Sequence, residues 1–335
     1  MIAVISHAAK TLGGRAILPA AGFLAGLGLA CSASPRTMPR RMPAPTTAEA
    51  DRGFPGLSCL RYSLKVPGWN PNQYLKFADE RTQPCRDLAA RIAVSNVRRV
   101  IDLGCGPGNS TAVLADRWPD AEVTGLDSSA DMIERARRDY PGQRWITGDI
   151  SEWAAANDGA DGGLYDVVFS NAALQWVDDH ASLYPRLLSR VAPGGALAVQ
   201  IPGNIDALPH RLMREMAVAP EWSRWFAPGT LREWHHREME FYYDALAPAA
   251  ARLDLWATEY LHILPNPEAI VEWYRGTGLR PFLEVLESDA SREQFMADYL
   301  ERLRPHFAPR APGGVLFPFR RIFLIAYRDL PASEP

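Results

Sequence analysis

The run Arg99–Asn109, Arg-Val-Ile-Asp-Leu-Gly-Cys-Gly-Pro-Gly-Asn, limits the possible folds more than any other part of the chain. Arg99–Leu103 is a short apolar strand. Gly104, Gly106 and Gly108 follow at alternate positions, and Asn109–Trp118 then resumes with helical spacing. A strand that passes at once into a helix through such glycines turns backbone N–H groups toward a ligand. Glycine supplies the close approach and the unusual dihedrals.

The alternation continues downstream. Glu122–Leu126 is a second strand leading into Asp127, and Ser129–Tyr140 reads as a helix with Ser128 or Ser129 as its N-cap. Arg144–Thr147 is a third strand, and Tyr165–Ser170, almost wholly apolar, a fourth. A helix from about His180 to Val191 is expected to stop at Pro193-Gly194-Gly195, with Ala196–Ile201 as the fifth strand. This rhythm predicts an α/β fold with a parallel sheet covered on both faces. After Pro202 the pattern changes. Residues 203–250 are rich in Trp, His and Pro, Leu253–Ile263 is strand-like, Pro267–Phe307 is mostly helical, and Phe317–Tyr327 is an apolar strand. Two late strands around a helical insertion add an antiparallel edge. The expected organisation is a single domain over 67–330. Its cofactor half is 98–202, and its lid and substrate elements are 67–97, 203–250 and 266–312.

A chain of 335 residues with 47% hydrophobic content has enough apolar surface for one large domain or two smaller ones. A net charge of -3 gives no electrostatic case for a nucleic-acid partner. Lys10, Lys65 and Lys76 are the only lysines, so no single arginine is informative by itself. Cys31, Cys59, Cys85 and Cys105 form no C-x-x-C pair and have no metal-ligand spacing, which suits a reducing, cytoplasmic setting without a metal. Residues 1–48 hold no acidic residue, and the apolar stretch Ala16–Pro35 has the outline of an export signal. Pro19 and the glycines from Gly13 to Gly28 make it a weak membrane span. The preferred reading of 1–66 is a disordered tail or an early start assignment, with Met38 and Met42 as later starts, and no stable membrane association.

A dinucleotide fingerprint, G-x-G-x-x-G, requires glycine where Asn109 stands. A cofactor without phosphates has no need of that glycine, so the loop leans toward S-adenosylmethionine. Asp127, with Ser128 beside it, ends the second strand where a carboxylate can accept from both hydroxyls of a ribose, a role equally useful to NAD. Gly148-Asp149-Ile150 follows the third strand. Asp149 can accept from an adenine amino group while Ile150 packs on the ring, and the dinucleotide fingerprint has no standing role for that acid. Asn171, Gln175 and Trp176, after the fourth strand, are placed to close over the methionine part. The plainer readings are an N-cap for Asp127, a loop aspartate for Asp149 and core packing for Trp176.

Asp102–Thr111, Leu126–Ser129, Asn171–His180 and Ala198–Pro202 resemble the class I methyltransferase core. Trp69-Asn70-Pro71 with Tyr74 and Phe77, Leu212-Met213-Arg214-Glu215, Tyr242-Tyr243-Asp244 and Thr277-Gly278-Leu279-Arg280-Pro281 are similar to the trans-aconitate 2-methyltransferase family, and the resemblance runs from Trp69 to Arg328. It implies a Rossmann-like class I methyltransferase fold: a mostly parallel seven-stranded sheet with an antiparallel edge strand and helical lid insertions. It also implies methyl transfer from S-adenosylmethionine to a carboxylate of trans-aconitate. The cofactor set is then Asp102, Gly104, Gly106, Gly108, Asn109, Asp127, Ser128, Asp149, Ile150, Asn171, Gln175 and Trp176. A carboxylate with a pKa of about 4 is ionised at neutral pH, so no catalytic base is expected, only desolvation and alignment. A small polycarboxylate calls for guanidinium clamps. The candidates are Arg81, Arg280 and Arg320 or its neighbour Arg321, with Tyr74, Trp176 and Tyr243 as walls and hydroxyl donors. His235-His236 reads as surface or lid. Residues 1–66 have no counterpart in the family, and Asn157–Gly163 is a longer loop than the family carries. Another carboxylate acceptor such as a malonyl thioester, a NAD-dependent oxidoreductase and a non-catalytic binding protein stay open as alternatives.

Overall fold

The strands β1 (Arg99–Leu103) and β4 (Tyr165–Asn171) read as apolar runs because both of their faces are covered, as parallel strands between helices require. A computed structural model describes residues 78–156, 163–311 and 313–329. Tyr74, the Trp69–Phe77 segment, the 1–66 extension and residues 157–162 of the long loop lie outside the described residues. All described residues belong to one compact unit, Ser63–Pro335.

Seven strands among the described residues form one sheet in the order β3-β2-β1-β4-β5-β7-β6. β2 (Glu122–Asp127), β3 (Arg144–Thr147) and β5 (Val191–Pro202) run parallel to β1 and β4. β7 (Val315–Tyr327) inserts antiparallel between β5 and β6 (Arg252–Leu264), so the antiparallel pairing expected late in the sequence is present, with the reversed strand one place in from the edge. Helices α1 (Ala78–Arg91), α2 (Asn109–Arg117), α3 (Ala130–Asp139), α4 (Ile150–Ala155) and α5 (His180–Ser189) accompany the parallel half. The later helices are α6 (Leu208–Val218), α7 (Met239–Leu246), α8 (Pro267–Arg275), α9 (Arg280–Val285) and α10 (Asp289–Leu303).

Two elements depart from the sequence reading. The Pro193-Gly194-Gly195 turn does not separate α5 from its strand, because β5 starts at Val191. Tyr165 pairs with Val191 but Val167 pairs with Ala196, so a bulge absorbs the turn inside the strand, with Gly194 at φ +79°. Helix α4 follows β3 directly, because the Asp149 side chain caps it by accepting from the N–H groups of Ser151 and Glu152 at 2.7 and 3.1 Å.

One apolar cluster, with Leu183, Tyr184 and Tyr242, fills one sheet face, and a second, with Leu88, Val100 and Phe169, fills the other. A third lies off the parallel half and joins α6, α8, α9 and α10 to Val315, Phe317 and Phe319. Burying each such side chain contributes roughly 1.5–3 kcal/mol, so this cluster is a core in its own right. Its position follows from strand lengths. β5 ends at Pro202, paired with Arg321, whereas β7 continues to Val315 along β6. The β6–β7 ribbon therefore overshoots the carboxyl ends of the parallel strands and carries the lid helices over that edge. No helix among the described residues is long and apolar enough to cross a membrane, and none of their His, Cys, Asp and Glu side chains cluster as metal ligands.

Candidate functional site

A cavity of about 950 Å³ opens at this edge, between the loops after β1–β4 and the lid. The glycine loop forms one wall, and its glycines serve different ends. Gly104 sits at φ +72°, and a Cβ there falls 2.2 Å from the Cβ of Ala173, so the loop is seated directly on the turn after β4. Gly106, at φ +55°, has nothing within 4 Å of such an atom and leaves the backbone open to the cavity. Gly108, at φ +97°, abuts the rings of Trp145 and Tyr140 and does not line the cavity.

Asp102 is fully buried beneath the loop, away from the cavity surface. Its Oδ2 accepts from Ser110 Oγ at 2.6 Å and Thr111 Oγ1 at 2.7 Å, which ties β1 to the first turn of α2. Burial pushes its carboxyl up to about 6, against the two hydroxyl bonds. Its place in the structure is that of a brace for the loop. Asp127 does reach the cavity. Its Oδ2 accepts from Gly106 N–H at 2.9 Å and its Oδ1 from Ser129 N–H at 2.8 Å. Burial raises its pKa, and those two bonds oppose the rise. Asn109, Ser128, Asp149 and Ile150 line the same region, and both capping bonds to Asp149 fall on Oδ1.

Asn171, Gln175 and Trp176 border the middle of the cavity. A one-turn 3-10 helix, Leu174–Trp176, presents the last two. His180 holds this turn. Its Nε2 lies 2.9 Å from the Leu174 carbonyl, which only accepts, so Nε2 carries the proton and Nδ1 accepts from the Tyr242 hydroxyl at 3.0 Å. Asn171 Oδ1 and Gln175 Oε1 are buried without a hydrogen-bond partner among the described residues. Buried acceptors rarely stay unmatched, and those at a cavity wall point to a ligand.

The far end is built by elements distant in sequence. Arg81, 7% exposed, donates from Nη2 to the Trp273 carbonyl at 2.9 Å. Arg321, 4% exposed, donates from Nη1 to Gln200 Oε1 at 3.2 Å. Arg232 donates to the Trp176 carbonyl at 3.1 Å and lies 4.9 Å from that ring's centre. Arg280 pairs with Glu284 at 2.5 Å. Trp234 meets Trp176 edge-on at 5.2 Å, and His235 N–H donates to the Gln175 carbonyl at 2.8 Å, which latches the 219–238 segment onto the β4 turn.

The structure thus brings Arg81, Arg280, Trp176 and Arg321 to one cavity, and leaves Arg320 and Tyr243 outside it. Arg320 lies 3.8 Å from Glu238, with its side chain 38% exposed. Tyr243 is 54% exposed, and its neighbour Tyr242 is the buried one, supporting His180. Sequence reasoning missed Arg232, Trp234, Trp273, Tyr274 and Thr277. Only Thr277 carried a signal, as part of the motif that holds Arg280.

The family model described as "Methyltransferase domain" matches residues 100–195. A protein named trans-aconitate 2-methyltransferase from Azoarcus sp. (strain BH72) is 46% identical over 267 residues, covering 78% of this chain and all of that protein. One of the same name from Rhodopseudomonas palustris (strain BisA53) is 47% identical over 258 residues, covering 77% of this chain and 98% of its own.

Proposed function

The chain belongs to the trans-aconitate 2-methyltransferase family, and from that premise we propose that it methylates one carboxylate of trans-aconitate with S-adenosylmethionine, releasing the monomethyl ester. The observation that carries this reading is the polarity of the cavity. Carboxylates, Asp127 and Asp149, line the glycine-loop end, and guanidiniums, Arg81, Arg232, Arg280 and Arg321, line the lid end.

The loop end fits this cofactor. Two acidic side chains suit ribose hydroxyls and an adenine amino group and oppose a pyrophosphate, which speaks against NAD. Gly106 leaves room for close approach, and the unmatched oxygens of Asn171 and Gln175 suit N–H donors of the methionine part. When bound, S-adenosylmethionine supplies a methyl group activated by a cationic sulfur.

The rest falls to the protein. The acceptor carboxylate is ionised at neutral pH, so no side chain has to remove a proton. The arginines draw the polyanion out of water, while Trp176, Trp234 and the His235 latch exclude solvent from the junction between the two ends. Orientation at about 3–3.5 Å then lowers the barrier, by as much as roughly 7–11 kcal/mol in well-aligned reactions. The same reading takes 67–330 as one domain acting on a small polycarboxylate in the cytoplasm, with no nucleic acid and no stable membrane association.

Turnover of labelled S-adenosylmethionine against a panel of di- and tricarboxylic acids tests the reading. Good turnover of another acid with none of trans-aconitate overturns it, and calorimetric preference for NADH over S-adenosylhomocysteine removes the methyltransferase assignment altogether.

A further inference from the structure

The lid reaches the turn after β4 through a file of rings. Trp176 meets Trp234 edge-on at 5.2 Å, Trp234 lies 4.6 Å from the His210 ring, and His210 meets Tyr274 edge-on at 4.9 Å. Trp176, Trp234 and Tyr274 line the cavity, whereas His210, on α6 and 4% exposed, stands behind them. Burial depresses its pKa to about 3, so at neutral pH it backs Trp234 as an uncharged ring. Gly278 makes room for it. The backbone there is ordinary, yet a Cβ falls 2.8 Å from His210 Cε1 and 2.9 Å from Tyr274 Cδ1, so this glycine serves space and not dihedral freedom.

Trp234 is also held along the chain. Two residues before it, Arg232 donates to the Trp176 carbonyl at 3.1 Å, and just after it the His235 N–H donates to the Gln175 carbonyl at 2.8 Å. The indole is therefore fixed on both sides in sequence and from behind. Among the described residues, Trp234 is the one ring that Trp176 meets.

Trp176 borders the middle of the cavity, between its acidic and its cationic end. In the transfer, one carboxylate oxygen forms the new C–O bond, the methyl–sulfur bond breaks, and its electron pair stays on sulfur. No proton moves, and a negative and a positive charge cancel. Water stabilises the separated charges more than the transition state, so a dry wall here acts on the rate of the bound complex more than on the affinity of either ligand. We propose that Trp234 is a positioning residue for methyl transfer, which sets the Trp176 indole as that wall, with His210 and Gly278 as its backing. This rests on the methyl-transfer reading of the cavity.

The test measures kcat and KM for trans-aconitate, and calorimetric affinity for S-adenosylhomocysteine, in wild type, W234L, W234F, G278A, W176A and the W176A/W234L double variant. W234L is expected to lower kcat by about 10- to 100-fold, with KM and S-adenosylhomocysteine affinity within about 3-fold of wild type. W234F, which keeps an edge-on ring, is expected to recover most of that loss. G278A is expected to lower kcat in the same way, although Gly278 does not line the cavity. In the W176A background the W234L loss is expected to shrink below about 3-fold, since the ring that Trp234 positions is gone. A raised KM with unchanged kcat in W234L, no recovery in W234F, or losses that multiply in the double variant overturn the proposal. The tryptophan variants carry the test if G278A fails to fold. If wild type methylates a different acid, the acceptor assignment fails instead, and the same variants on that acid still decide the role of Trp234. Turnover of no acid at all overturns both.

Discussion

Alanine at Gly104 and alanine at Gly106 impose the same chemical change two residues apart, yet the structure predicts different failures. Both residues have left-handed backbone, at φ +72° and +55°, where an L side chain costs about 1–2 kcal/mol. At Gly106 that is the whole structural cost, since its Cβ meets nothing within 4 Å. At Gly104 the new methyl lies 2.2 Å from Ala173 Cβ, against a contact distance of about 3.5–4.0 Å. The turn after β4 must retreat by over an ångström, an overpacking cost of roughly 1–3 kcal/mol. G104A is therefore expected to lose about 2–5 kcal/mol of stability and G106A about 1–2. On the proposed function the order reverses for affinity relative to stability, because the Gly106 methyl projects into the open cavity while the fold stays intact. Urea denaturation read alongside S-adenosylhomocysteine calorimetry separates the two effects. Adding Ala173→Gly to G104A should restore the overpacking share and leave the backbone share. Equal destabilisation by G104A and G106A, or no rescue by A173G, refutes the packing argument.

Asp102 is held near a pKa of about 6 by burial, above the unfolded value of about 3.9, so the native state binds its proton more tightly. Stability contributed by that proton is present at low pH and lost as pH rises from about 4 to about 6; D102N should remove this slope and be the more stable protein at pH 8 in urea titrations. Burial depresses His210 to about 3 and His262 to about 4, below the unfolded value of about 6.5. Both therefore favour the fold above pH ~6.5 and weaken it on acidification, and H210Q should flatten the acid limb by up to about 1.4 kcal/mol per pH unit. R320Q, outside the cavity in an exposed pair, should leave kcat/KM within two-fold and stability within about 1 kcal/mol; a larger catalytic loss places Arg320 in the site. Y242F removes the hydroxyl that holds His180, so it should cost about 1–2 kcal/mol and weaken S-adenosylhomocysteine binding through the loosened Leu174–Trp176 turn, both visible in a paired melting and calorimetry experiment.

The glycine-loop half of the site was legible because its information is local. β1 and β3 begin and end at the expected residues; β1 is a buried, nearly continuous apolar run between helices, and β3 is a short edge strand whose Trp145 and Ile146 mark it. Asp127 and Asp149 could be placed because each stands at or just beyond the end of a readable strand. Even there, local reading cannot separate a group that faces the ligand from one that braces the loop: Asp102 and Gly108 carry the motif but turn away from the cavity. The bulge in β5 escaped notice because Pro193-Gly194-Gly195 carries the same turn signal whether the chain leaves the sheet or kinks within it.

The lid half depended on long-range packing. Arg232 sits in a segment without periodicity and reaches the cavity only because the His235 latch holds that segment to the β4 turn. Arg320 and Arg321 are neighbours of identical chemistry. Their roles diverge because side chains alternate along a strand, and the pairing of Arg321 with Pro202 sets which of the two looks inward. The sequence alone determined the alternating fold, the glycine loop and the acids beside it, through contacts between near neighbours. The tertiary structure alone decided which arginines line the cavity, because strand register and lid docking are properties of the whole sheet.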